Sequence, residues 1–160
     1  AQKKGIVQDA HLKIAVDTML TLNSLGADLG KLSYVNALTD VTGFGLLGHL
    51  CEVCEGSGLS AEIEFRKIPK FDFLDQYIQQ KSMPGGTQRN WESYGHKISP
   101  VSEEQKVILA DPQTSGGLLI SVDSDKAQEF ENFAQEKGYN LKPFGKLIPA
   151  KDVISIVVKP

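Results

Sequence analysis

Cysteine is nearly missing from this chain, with two among 160 residues. Both, Cys51 and Cys54, fall three apart inside an expected helix, which excludes the disulfide framework of a small secreted protein. No apolar run approaches the roughly 18 residues that a membrane span needs, and Ala1-Gln2-Lys3-Lys4-Gly5 leads into no signal-peptide core. Excess positive charge is also lacking. Seventeen Lys+Arg stand against twenty Asp+Glu, a net charge of -3, and no basic run marks a nucleic-acid surface. These absences lead us to expect a soluble, cytoplasmic chain with neither nucleic acid nor membrane as partner. What is present, 41% hydrophobic residues in 160, suffices for one well-packed domain.

The stretch from Leu38 to Leu50, LTDVTGFGLLGHL, joins three signals. An expected strand from Tyr34 runs into Asp40, then a Gly-spaced turn, then an apolar helical run. Asp40 would stand at the strand's C-terminal end, with Thr42, Gly43 and Gly45 supplying backbone amides where a helix dipole favours an anion. A carboxylate beside such a turn can hold a hard cation that also touches phosphate oxygens. The spacing by itself favours Asp40 or Thr42 as a helix cap, with glycines allowing close packing.

Apolar periodicity predicts a helix over 9–25, stopped by Gly26, and a second over 44–55, ended by Gly56-Ser57-Gly58. Alternation of Leu59, Ala61, Ile63 and Phe65 with polar neighbours predicts a strand that completes a β-α-β unit. A short helix follows over 71–80. Residues 81–100 read as one long functional loop, rich in turn formers yet carrying Thr87, Arg89, Asn90, Trp91, Tyr94 and His96. Ser102-Glu103-Glu104-Gln105 has capping-box spacing and opens a helix to Leu109. Asp111-Pro112-Gln113-Thr114-Ser115-Gly116-Gly117 then turns into a strand over 118–122. A helix over 126–137 and strands within 139–148 and 153–158 complete a β-α-β-β half. The expected fold class is therefore α+β: a mixed β-sheet with packed helices, partly like a ferredoxin-type split β-α-β, in a single domain spanning 1–160.

Three motifs in order carry a resemblance: Leu38 to Leu50; Pro84-Gly85-Gly86-Thr87-Gln88-Arg89-Asn90 with Ser93-Tyr94-Gly95-His96; and Asp111 to Leu119. Together they resemble the C-terminal half of bacterial selenophosphate synthetases (selenide, water dikinases), within the aminoimidazole-ribonucleotide synthetase group. The resemblance covers essentially the whole chain. It implies an enzyme that transfers a phosphoryl group from ATP to selenide, giving selenophosphate, AMP and orthophosphate with water consumed and Mg²⁺ required. It also implies that the catalytic Cys or selenocysteine, a nearby Lys and the Gly-rich nucleotide loop belong to an N-terminal ATP-binding domain absent from this sequence. No catalytic residue is expected here, and the chain alone is expected to be inactive. Its partners would be ATP, selenide and its own N-terminal domain, with the full-length protein a homodimer through that domain. Carried over residue by residue, Asp40 is the implied metal ligand. Thr42, Gly43, Gly45, Thr87, Asn90, Asp111, Thr114 and Ser115 are the implied phosphate- or cleft-facing residues. The alternatives are another ATP-dependent enzyme of the group or a non-catalytic binding module.

His49 lies one turn into an apolar helix, which suits a hydrogen-bonded structural histidine better than a ligand. His96 sits in the expected loop, either solvated or near the transferred group, and His11 carries no signal. The Cys51-x-x-Cys54 pair lacks the helix N-terminal placement that activates thiols, so we read both as packing residues.

Overall fold

The computed structural model describes all residues, Ala1–Pro160. Seven helices and five strands follow in the order α1 (Asp9–Leu20), α2 (Leu25–Leu29), β1 (Val35–Asp40), α3 (Gly45–Ser57), β2 (Leu59–Glu64), α4 (Leu74–Gln79), α5 (Gly85–Tyr94), α6 (Glu103–Leu109), β3 (Leu118–Val122), α7 (Ala127–Glu136), β4 (Gly145–Pro149) and β5 (Ile156–Lys159). The α+β class and the mixed sheet hold. Antiparallel β4 and parallel β5 flank β2 in one sheet, while β1 and β3 form a separate antiparallel ribbon.

That division corrects the β-α-β reading of the first half. β1, α3 and β2 follow one another, yet the two strands lie in different sheets, so α3 joins sheets rather than crossing over within one. Helix α3 earns its central place by composition. Leu47, Leu50, Cys51 and Cys54 are buried, and they meet Ala61 and Ile63 of β2, Tyr94, Leu109, Leu119 and Ile156 in one continuous core. A second, smaller core of Leu25, Leu29, Tyr34 and Phe130 lies against Leu38, Leu118 and Ile120. Side chains alternate across a strand, so Leu119 faces the first core while Leu118 and Ile120 face the second. The ribbon β1–β3 is thus the wall between them.

Three further boundaries differ from expectation. The first helix ends at Leu20, where Thr21 turns extended, and Gly26 lies inside α2 instead of stopping anything. A Cβ at Gly26 would meet Leu118 Cδ1 at 3.3 Å, so this glycine admits β3 to the helix. The expected loop over 81–100 contains the ten-residue helix α5. The strand expected within 139–148 is confined to β4, after Pro143. By contrast the capping box is formed as read: Ser102 Oγ accepts from Gln105 N–H, and Gln105 Oε1 accepts from Ser102 N–H.

Candidate phosphate- and metal-facing site

Backbone bonds zip the end of β1 and the residues after it to the turn before β3. Val41 N–H donates to Gly117 O at 2.9 Å, Gly116 N–H to Val41 O at 3.0 Å, and Gln113 N–H to Thr42 O at 3.0 Å. Asp40 pairs in register with Leu118 at the exposed end of the ribbon. Its carboxylate makes no hydrogen bond or ion pair within the chain.

Side chains complete the assembly. Asn90, buried on α5, donates through Nδ2 to Gly43 O at 2.9 Å and to Ala110 O at 3.0 Å, so one carboxamide ties the first motif and the residue that leads into the third to the second. Tyr94, one turn later, donates its hydroxyl to Phe44 O at 2.6 Å. Burial pushes the Tyr94 phenol upward. His49 reaches back from α3: its Nε2 accepts the Thr42 N–H at 3.0 Å, and the Thr42 hydroxyl lies 3.2 Å from the same nitrogen. A nitrogen that accepts an amide proton carries none of its own, so the neutral ring keeps its proton on Nδ1, facing Glu52 Oε2 at 2.9 Å.

The capping alternative for Asp40 and Thr42 falls here, because no side chain caps α3. The consecutive N–H groups of Gly43 and Phe44 donate to nothing within the chain. Both residues are exposed. A carboxylate, two free amides and a helix start therefore share one rim, an arrangement suited to an anion with its counter-cation.

The other predicted residues divide. Gly45 is buried at φ 70°, and a Cβ there would come within 2.8 Å of Asp111 O, so it permits contact between α3 and the turn instead of touching phosphate. Thr42 spends its amide and hydroxyl on His49. Asn90 and Thr87 face inward rather than into a cleft. Their helix packs against the turn so tightly that a Cβ on Gly86 would meet Pro112 Cγ at 2.8 Å. Thr87 Oγ1 has no partner at hydrogen-bonding geometry. It lies beside the Asp111 carboxyl, whose pKa burial raises to about 6 against opposing contributions from Thr87 and Gln113, the latter donating through Nε2 at 2.6 Å. Thr114 is exposed, and Ser115 holds a left-handed φ of 56° at the tip of the turn. His96 is exposed on the turn after α5. Tyr94, Gln113 and the Glu52 partner of His49 were not singled out for the site. For Tyr94 the signal was available, since Thr87, Asn90 and Tyr94 stand at i, i+3 and i+7.

Cys51 and Cys54 are buried free thiols, pushed up to about 12 and about 11 chiefly by burial, which makes neither a nucleophile at neutral pH. No group of three or more His, Cys, Asp or Glu side chains gathers anywhere. The donor set therefore fits Mg²⁺ only as a shared ion. Magnesium commonly takes one or two carboxylates plus phosphate oxygens and water, and Asp40 can be one of these.

Comparison with known proteins places these features in context. Residues 3–158 match the family model described as AIR synthase related protein, C-terminal domain. Selenide, water dikinases from Colwellia psychrerythraea, Pasteurella multocida and Haemophilus influenzae are 48%, 50% and 49% identical over 94%, 92% and 99% of this chain. The chain spans less than half the length of these relatives, 44%, 42% and 46% respectively. A solved thiamine monophosphate kinase from Aquifex aeolicus overlays 79% of the chain at TM-score 0.40 and 16% identity, a likeness too slight to build on.

Proposed function

Since the chain belongs to the family of AIR synthase related proteins, C-terminal domain, we propose that it is the half of a selenide, water dikinase that meets phosphates held by a nucleotide-binding half. The complete enzyme on this reading works in the cytoplasm and moves a phosphoryl group from ATP to selenide while one water is consumed, with selenophosphate, AMP and orthophosphate as products. Phosphoryl transfer depends on positioning and charge neutralisation more than on covalent steps by the protein. Mg²⁺, when bound, supplies the neutralisation.

Asp40 would be the residue of this chain that holds that ion, and the Gly43 and Phe44 amides would meet phosphate oxygens. His49 and Asn90 keep those amides aimed, the first through the Thr42 N–H and the second through Gly43 O. Thr114 and Ser115 stand on the adjoining turn, where their hydroxyls are free to meet the other half. The observation that supports the reading most is the bare Asp40 carboxylate beside two unpaired, exposed amides, where a capping residue would have closed the helix start.

The test joins this chain to the remaining half of the Pasteurella multocida relative and measures AMP formed from ATP with selenide and magnesium. We expect turnover by the joined protein, none by the 160-residue chain alone, and a loss of about 100-fold or more in Asp40→Asn with thermal stability unchanged. Selenide-dependent turnover that ignores Asp40→Asn removes this residue from the site.

A further inference from the structure

Helix α3 carries two glutamates, and they are used differently. Glu55 is neutralised by Lys97. Glu52 meets no lysine or arginine; its one partner is the imidazole of His49, with Oε2 2.9 Å from Nδ1. The two residues stand at i and i+3 on one side of the helix, Glu52 with its side chain 58% exposed and His49 buried. A carboxylate open to water, paired with a neutral ring, adds little to stability. What the pair does decide is where the ring keeps its proton.

That choice matters because the far nitrogen of the ring has two ways to meet Thr42. Nε2 lies 3.0 Å from the Thr42 amide nitrogen and 3.2 Å from its hydroxyl oxygen. With the proton on Nδ1, Nε2 is an acceptor and takes the amide N–H. With the proton on Nε2, the ring would donate to the hydroxyl instead, and two N–H donors would oppose each other across the Thr42 amide. That amide has no other partner. Glu52 selects the first arrangement, since an ionised carboxylate only accepts and bonds to Nδ1 only where Nδ1 holds the proton. Asn90 and Tyr94 pin the carbonyls of Gly43 and Phe44, while His49 supplies the side-chain hold on an amide of this turn.

We propose that Glu52 is a positioning residue of the candidate site: through the His49 tautomer it fixes the Thr42 peptide and, with it, the direction of the Gly43 and Phe44 amides that follow. Its effect on turnover rests on the function proposed above. Its effect on the ring does not.

Nitrogen-15 NMR of the 160-residue chain at about pH 8, where an imidazole is ordinarily neutral, reads the ring directly. We expect a protonated Nδ1 and a bare Nε2 at His49. In Glu52→Ala the proton moves towards Nε2 and the Thr42 and Gly43 amide resonances shift, with the melting temperature changed by no more than about 3 °C because the pair is exposed at one end. Glu52→Gln keeps an acceptor for Nδ1 and restores the original ring state. In the protein joined to the remaining half of the relative, AMP formation falls about tenfold in Glu52→Ala and recovers in Glu52→Gln. A proton on Nε2 of the unaltered chain overturns the proposal, as does a ring in Glu52→Ala that does not change. Full turnover by Glu52→Ala with a shifted ring removes the positioning role. A joined protein without selenide-dependent AMP formation counts against the proposed function, and the ring measurement still decides what Glu52 does to His49.

Discussion

Asn90 shows most directly how one side chain holds the candidate site. Its carboxamide is the shared donor for Gly43 O and Ala110 O. Truncation leaves two carbonyls without it, and Asn90→Ala is expected to cost about 2 to 3 kcal/mol in urea denaturation. Asn90→Asp is expected to be worse, since a carboxylate has no proton for either carbonyl. Asp111 offers the opposite sign. Burial raises its pKa from 3.8 to about 6, so the folded state holds the proton more tightly than the unfolded one. The resulting stability is complete below about pH 4 and is lost as pH climbs through about 6. Asp111→Asn, which never ionises, is therefore expected to flatten that part of the thermal-stability profile. At pH 7.5 it should stabilise the chain by about 1 kcal/mol, a figure kept low because solvent reaches part of the group.

At the scale of elements, the site is a junction of α3, α5 and the turn before β3, and Gly45 is its tightest point. A non-glycine residue at φ 70° costs roughly 1 to 2 kcal/mol, and the added Cβ would also sit 2.8 Å from Asp111 O. Gly45→Ala is expected to lower the melting temperature by more than 10 °C or to stop soluble folding. The helix α5 explains why this junction was only half readable beforehand. Pro84-Gly85-Gly86 and the low helix propensities of Thr87, Asn90, Trp91 and Tyr94 describe a loop. Packing overrides them, because Thr87, Asn90 and Tyr94 together fill the space against α3 and the turn. Two of the residues expected to face the cleft turn inward instead: Thr87 and Asn90 support the candidate site from below and leave its surface to Asp40, Gly43 and Phe44.

The whole molecule depends on pairings between distant parts of the chain. β1 finds β3 some eighty residues later, and β2 takes both β4 and β5, so each sheet closes only when the two halves of the sequence meet. Between the sheets, α3 buries one side against the larger core while its first amides remain open at the rim. Site and scaffold are thus continuous: the β1–β3 pairing that walls the larger core also presents Asp40 at its exposed end.

Local chemistry in the sequence determined the strands at 35–40 and 118–122, the capped start of α6, the α+β class and the three motifs, because each rests on neighbours a few residues apart. Tertiary structure alone decided which strands share a sheet, that residues 85–94 form a helix, and that α3 starts uncapped. Those outcomes depend on hydrogen bonds and burial between residues far apart in sequence, where propensity carries no information. Among them are the two bonds from Asn90, to Gly43 O and to Ala110 O, which tie the turn before α3 and the segment leading into Asp111 to α5.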